Sequence, residues 1–406
     1  MEGVQTHGWR TALAGSQMLF VAFGALVLMP LITGMNPSVA LFTAGIGTLI
    51  FHIVTGGQIP IFLASSFAFI APIIAAKGRF GLEETLGGLM AAGILYIILS
   101  GAVRLRGTGF ITRLLPPVVI GPVIMVIGLG LAPVAVHMAS GRTGDGAQQL
   151  VPYDTAIWIA MISLAVTVIM AVWSSGIFRL IPIMFGIIVG YILSAFAGIV
   201  DLSPITNAPW FAIPNFVAPE FSWAAILFMI PVAIAPAIEH IGDILAIGTV
   251  TRKNYLEKPG LHRTRLGDGL ATSAASALGG PPNTTYSEVT GAVVLTKNFN
   301  PKVMIWAACI AIVLAFIGKF GAALQTIPAP VMGGILCLLF GSIAVVGLNT
   351  LIRHQVDLSQ ARNLVIVAVT LVFGIGGMAI GNLEGIALCA VVAIALNLIL
   401  PGKGEA

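Results

Sequence analysis

Apolar residues fill long blocks of this 406-residue chain, and polar residues are confined to short gaps between the blocks. A run of about 20 apolar residues crosses the hydrocarbon of a bilayer as a helix. Fourteen such segments can be counted, centred near Phe23, Gly47, Phe69, Gly93, Val126, Ser163, Ile188, Ala235, Ser273, Val289, Ala311, Cys337, Leu371 and Val392. The third, ninth and tenth are weak, being short or interrupted by Gly, Pro, Ser and Thr. The longest polar stretch, from about Arg252 to Asp268, reads as a loop.

Composition strengthens that picture. The chain is 58% hydrophobic and 8% charged, with a mean hydropathy of +1.04. An ordinary soluble domain is about 25% charged, so this one cannot cover its own surface in water, and the lipid bilayer is its expected partner. The net charge of +4 comes from few residues between apolar segments, which excludes a nucleic-acid footprint and reads as a topology signal. Cys309, Cys337 and Cys389 all lie inside apolar runs, with no sign of a disulfide or metal cluster. The first apolar run reads as an uncleaved insertion signal. With both termini in the cytoplasm, the cytoplasmic gaps hold fifteen basic residues, Arg113, Arg265 and Lys403 among them, and the opposite side holds four, Lys77, Arg79, Arg142 and Lys319. That asymmetry supports the count and the orientation.

Fourteen is twice seven, and an odd number of spans per half inverts the second half relative to the first. In such proteins a matched pair of broken segments points to the binding site. Here the third segment carries Ser65-Ser66-Phe67-Ala68 in "LASSFAFIAPI", and the tenth carries Thr284-Thr285-Tyr286-Ser287 in "PNTTYSEVTGAV". Both read as hydroxyl, hydroxyl, aromatic, small residue, with proline upstream. The Thr-Thr-Tyr copy favours extended backbone, which at membrane depth survives only when buried in protein or lining a cavity. Two short antiparallel strands, one from each half, would satisfy each other there. The expected fold is an all-α polytopic membrane protein, a 7+7 inverted repeat with this strand pair in segments 3 and 10.

Carboxylates inside apolar segments cost about 2.5–3.5 kcal/mol each on insertion scales and mark function by default. In "IPVAIAPAIEHIGDILAIG", Glu239 and Asp243 are spaced i, i+4 and share a face, about 6 Å apart along the axis. His240 lies on another face, as a packed polar residue or a coupling partner. Glu288 falls in the first turn of the half-helix after Tyr286, where the helix dipole favours its ionised form and desolvation opposes it. Glu239, Asp243 and Glu288 are the candidate proton-coupling groups. Glu384 and Lys319 read as interface residues. Carboxylates accept from N–H donors and half-helix N-termini donate to carbonyl oxygens. A flat ring with alternating N–H and C=O groups matches both, with Phe67 and Tyr286 offering ring faces.

At these residues the chain resembles the nucleobase–ascorbate transporter family, and within it the bacterial uracil permeases, which are uracil:proton symporters. The resemblance rests on "FGALVLMP", "SSFAFIAPI", "IEHIGD", "KPGLHRTRLGDGL", "PPNTTYSEVTGAVVLTK" and "IPAPVMGGI" and spans nearly the whole chain. It implies core-domain spans over residues 1–106 and 223–322, gate-domain spans over 107–200 and 323–406, and an extracellular connection over 201–222. It also implies a homodimer formed through the gate in a bacterial inner membrane, and no cofactor. By position, Glu239 and Glu288 would hold the N–H groups of the base, and backbone at Phe67 and at Tyr286-Ser287 would contact its carbonyls. Ala25 and Phe340 would line the pocket. Three positions depart from the family pattern: Met18, Asp243 and Val289 stand where the family has histidine, histidine and asparagine.

The departures leave uracil against xanthine or another purine open, and proton against sodium. An anion transporter of the same architecture would carry a basic or neutral residue at Glu288. An enzyme is not expected, because there is no HExxH or Walker motif.

Overall fold

A computed structural model of the chain describes residues 8–107, 109, 114–381 and 383–401, with Ile177, Ile238, Ser287 and Glu288 described in backbone only. Arg113 and Lys403 of the basic-residue count lie outside the described residues. The architecture is mostly helical. Helices α1 (Gly8–Thr33) and α2 (Pro37–Thr55) precede strand β1 (Leu63–Ser65) and helix α3 (Ile70–Arg106). Then come α4 (Pro117–Gly130), α5 (Ala132–Ala139), α6 (Tyr153–Val172) and α7 (Pro182–Phe196). The second half continues through α8 (Trp223–Val232), α9 (Ile234–Thr251), α10 (Leu261–Ala277), strand β2 (Asn283–Thr285) and α11 (Ser287–Thr296). It closes with α12 (Lys302–Ala315), α13 (Gly318–Gln325), α14 (Ala329–Arg353) and α15 (Ala361–Ile375). A two-residue hairpin, β3 (Ala379–Ile380) and β4 (Leu383–Glu384), leads into α16 (Gly385–Ile399).

Among the described residues, seven helical stretches are long and apolar enough to cross a membrane: Gly8–Thr33, Pro37–Thr55, Phe67–Arg106, Pro117–Ala139, Tyr153–Val172, Trp223–Thr251 and Ala329–Arg353. The stretch through α3 is longer than one crossing needs. It bends at Gly81, whose φ of +83° and ψ of 177° belong to a region open only to glycine. Many large apolar side chains face outward, such as Trp158, Val172 and Phe196, as lipid contact requires.

Two apolar clusters divide the interior. The larger is built around α1, α2, β1, α3, α12 and α14, and the smaller around α4, α15 and α16. Small residues set how closely the helices of the larger cluster approach. A side chain on Gly93 of α3 would meet the backbone of Gly269 and Ser273 in α10 within 2.9 Å, and one on Gly269 would meet the Gly93 carbonyl at 2.8 Å. Packing through small residues replaces the hydrophobic drive that lipid removes.

The sequence expectation of a loop from Arg252 to Asp268 is corrected here. Its second half is helical, because α10 starts at Leu261 and runs without a break to Ala277. Arg265, counted above as a cytoplasmic loop charge, is 1% exposed inside that helix, and Asp268 is fully buried. The charged residues hid a helix rich in Gly, Ala, Ser and Thr that packs closely on α3. The Arg252-to-Lys258 part is the true polar connection, with Arg252, Lys253 and Lys258 exposed.

Candidate functional site

Strands β1 and β2 pair antiparallel, with Leu63 opposite Thr285, Ala64 opposite Thr284 and Ser65 opposite Asn283. The Ser66 N–H extends the ladder to the Pro282 carbonyl at 3.0 Å. A two-stranded ribbon has two open edges, and helices close both. The Thr48 hydroxyl of α2 bonds the Leu63 N–H at 3.0 Å and the Leu63 carbonyl at 3.3 Å. On the other side the Thr272 hydroxyl of α10 donates to the Asn283 carbonyl at 2.7 Å. His52 Nε2 lies 3.1 Å from the Ile61 carbonyl just ahead of β1. Extended backbone is thus held inside an apolar interior with both edges bonded to neighbouring helices, which is the condition for its presence at membrane depth.

Each strand releases a helix at the same place. β1 passes through a single 3₁₀ turn, Phe67–Phe69, into α3, while β2 passes through Tyr286 into α11. Between the strand ends lies a cavity of about 50 Å³. Its lining comes from Ser65, Ser66, Phe67 and Ala68 on one side and Thr284, Thr285 and Tyr286 on the other. Glu239 of α9 closes a third side, and Ile124 and Ile127 of α4 with Ser342, Ile343 and Val346 of α14 close the fourth. The Phe67 and Tyr286 rings stand 6.4 Å apart, and Phe340 packs edge-on to Phe67 at 6.4 Å.

A break in the eighth apolar segment presents Glu239. Pro231 and Pro236 each remove a backbone donor, and the helix divides into α8 and α9 on either side of Ala233. Glu239 falls in the second turn of α9, half-buried at the cavity. Asp243, one turn further on, is 4% exposed and outside the lining. It accepts a 2.6 Å hydrogen bond from the Thr285 hydroxyl of β2. The i, i+4 pair therefore reaches both the cavity and the strand ribbon, Glu239 at the lining and Asp243 at the Thr285 hydroxyl. His240 is fully buried and shares the Thr285 hydroxyl with Asp243, its Nδ1 lying 3.4 Å from Thr285 Oγ1 and 3.5 Å from Asp268 Oδ2, with Nε2 at 3.0 Å from Thr264 Oγ1.

Of the residues singled out in the sequence, Phe67, Tyr286 and Glu239 meet at the cavity, and Phe340 joins through the Phe67 ring. Ala25 is buried in α1 and is not among the residues that line this cavity. The side chains of Ser287 and Glu288 lie outside the described residues; their backbone forms the first turn of α11 beside the cavity. The interface residues are placed as well. Glu384 pairs with Arg79 at 2.8 Å, and Lys319 donates to the Ile205 carbonyl at 3.0 Å. Two charged groups close to the site escaped the sequence reading, Arg265 and Asp268. Their i, i+3 spacing in a run of Gly, Ala, Ser and Thr was the available signal.

A wider cleft of about 580 Å³ opens beside the connection between α9 and α10. Gln58, Lys253, Asn254, Tyr255 and Lys258 line it, and none of its lining residues is a carboxylate.

Residues 10–383 match the sequence profile of a family described as "Permease family". The chain belongs to this family, the one its motifs resemble. The permease is 58% identical over 401 residues to a "Probable uracil permease" of Pasteurella multocida (strain Pm70), covering 98% of this chain and 95% of that protein. It is 45% identical over 401 residues to the "Uracil permease" of Bacillus caldolyticus, covering 96% of this chain and 92% of that one. Among solved structures, the transmembrane domain of a cyanobacterium bicarbonate transporter BicA shares the fold. Its TM-score is 0.69 at 16% identity, with 97% of this chain and 98% of that chain covered. The permease is an integral membrane protein and a transporter rather than an enzyme.

Proposed function

We propose that this permease imports a nucleobase, uracil above others, together with a proton. The observation that carries the reading is the cavity between β1 and β2, where one carboxylate and two aromatic rings converge at the ends of two half-helices. That chemistry suits a flat, uncharged ring with both N–H and C=O groups. The relatives at 58% and 45% identity carry the name uracil permease, which favours a pyrimidine over the purine alternative.

In this reading Glu239 and Glu288 hold the N–H groups of the base. The backbone at Phe67 and at Tyr286-Ser287 reaches its carbonyls, and Ala25 and Phe340 shape the pocket. A proton neutralises one acid of the Glu239, Asp243 and Glu288 group from outside. At about 50 Å³ the cavity is well below the roughly 300–1,000 Å³ of ordinary ligand pockets. Admission of a ring therefore requires α4 and α14 to move against the strand ribbon, as core against gate. One charge carried inward gains about 2.3 kcal/mol per 100 mV, roughly a fiftyfold concentration ratio. The kink at Gly81 supports dividing α3 into two crossings, and the reading counts α7, α10, α11, α12, α15 and α16 as further crossings to reach fourteen in two inverted sevens, with both termini cytoplasmic and a dimer through the gate as the resemblance implies.

The test is uptake of labelled uracil in transport-deficient cells, repeated with a protonophore, without sodium and with excess xanthine. Saturable uptake abolished by the protonophore and unaffected by xanthine is expected. Sodium dependence without protonophore sensitivity would overturn proton coupling, and strong competition by xanthine would overturn pyrimidine selectivity.

A further inference from the structure

Arg265 is a fully buried cation that the transport cycle above does not use. A guanidinium keeps its charge in any protein interior, and burying one is favourable only against compensating charge and hydrogen bonds. The compensation is built around it. One nitrogen, Nη2, donates to the backbone carbonyl of Ala237, two residues ahead of Glu239. The guanidinium lies 5.5 Å over the ring of Tyr96 from α3, at the crossing that Gly93 and Gly269 make close. Asp268 follows at i+3 on the same helix face, fully buried, with its own oxygen 3.5 Å from His240. Nε and Nη1 of Arg265 and both oxygens of Asp268 have no hydrogen-bond partner within the described chain, so the two groups act on each other through space.

Among the described residues the titratable groups around Arg265 are Tyr96 from α3, Glu239 and His240 from α9 with Asp243 a turn beyond, and Asp268 from α10 itself, and the proposed function adds Glu288 of α11 beside Glu239. Arg265 reaches the Ala237 carbonyl and Asp268 reaches His240, so the pair lies against the helix that carries Glu239. We propose that Arg265 is a positioning residue of the transport site: through the Ala237 carbonyl it fixes the turn that presents Glu239, and with Asp268 it sets the charge that Glu239 feels. This deepens the proposed function and rests on Glu239 being part of the transport site.

The sign of the electrostatic effect makes the idea testable. Removing a nearby cation disfavours an ionised carboxylate, and removing a nearby anion favours it. Arg265→Met is expected to move the pH profile of uracil uptake to higher pH, Asp268→Asn to lower pH, and the double variant to return close to the parent profile. Structural damage alone would not move the two single variants in opposite directions. Arg265→Lys keeps the charge without the planar fork and is expected to retain the parent profile with a raised KM. A second readout needs no transport: modification of Glu239 by a hydrophobic carbodiimide, which reacts with protonated carboxyls, scored by mass spectrometry of purified full-length protein. Arg265→Met is expected to raise the rate at neutral pH at least fivefold and the double variant to restore it. If the parent protein takes up no uracil, the functional reading fails while the carbodiimide series still decides the role of Arg265. Single variants that shift in the same direction, or leave both readouts unchanged, overturn the proposal. So does a double variant no closer to the parent than either single. Should Arg265→Met fail to accumulate in the membrane, a slower Glu239 modification in Asp268→Asn and its return to the parent rate in the double variant give the same decision.

Discussion

From β1 the chain runs through Phe67 into α3 and meets no acid until Glu83, whereas from β2 it meets Glu288 within three residues of the strand. The two segments share a backbone plan: three strand residues, an aromatic at the strand exit, and a helix that begins beside the cavity. They differ in what surrounds them. β1 is tied by neutral groups, with Thr48 bonding both the N–H and the carbonyl of Leu63. β2 is tied into charge, with Thr285 donating to Asp243 and α9 placing Glu239 at the cavity. The frame is a property of both halves, while the acids belong to the second alone. A frame built twice needs its chemistry only once, and under the proposed function a single charged side would give an uncharged ligand a defined orientation.

The largest expected effect breaks the charged side outright. Glu288→Gln keeps the size and a hydrogen-bonding head but removes the carboxylate, and uptake of labelled uracil should fall to background while the protein reaches the membrane in normal amount. Near-normal uptake would remove Glu288 from the site. Next comes the tie between β2 and the acids. Thr285→Val preserves shape and strand propensity but deletes the 2.6 Å hydrogen bond to Asp243. A hydrogen bond to a charged group is worth about 1.5–3 kcal/mol, so a loss of about tenfold or more in uptake is expected. Equal uptake by Thr285→Val and the parent would mean that the coupling of β2 to α9 is architectural only.

These two experiments probe what the sequence showed and what it concealed. The strand pair was legible because hydroxyl-rich, proline-flanked breaks are conspicuous in apolar helices, and because extended backbone in a membrane must find a partner. Glu239 and Asp243 were legible from their spacing. Their different contacts, Glu239 at the cavity and Asp243 at Thr285, were not, since a helical face does not say what packs against it. Arg265 and Asp268 were misplaced for a related reason. Charge density marks a loop when judged by composition, and only the close approach of α3 and α10 through Gly93 and Gly269 shows that this charge is internal. The crossing count depends on Gly81, where one continuous helical run hides a bend.

That bend supplies a third test, on the neutral side. Gly81 adopts a backbone region closed to other residues, and forcing a side chain into it costs about 1–3 kcal/mol. Gly81→Ala should lower the melting temperature of the purified protein by several degrees. An unchanged melting temperature would mean that the turn relaxes into a straight helix, which would undermine its use as the boundary between two crossings.

On the charged side the corresponding turn, where the half-helix after the strand ends, falls at Lys297, with φ of +51° and ψ of 27°. Here a side chain already occupies the left-handed region, at a cost of about 1–2 kcal/mol. Lys297→Gly removes that strain. It also frees the unfolded chain by about 0.4–1 kcal/mol and forfeits the attraction of the ammonium to the helix C-terminus, about 0.3–1 kcal/mol. The three terms nearly cancel, so the net gain should stay below about 1 kcal/mol, against the larger loss expected at Gly81. A rise of about one to three degrees in melting temperature, with uptake unchanged, is the expected outcome. A fall would show that the Lys297 charge outweighs its strain. The two half-helices would then end for different physical reasons, one on glycine geometry and the other on a cation at the helix end, and their likeness would stop at the strands.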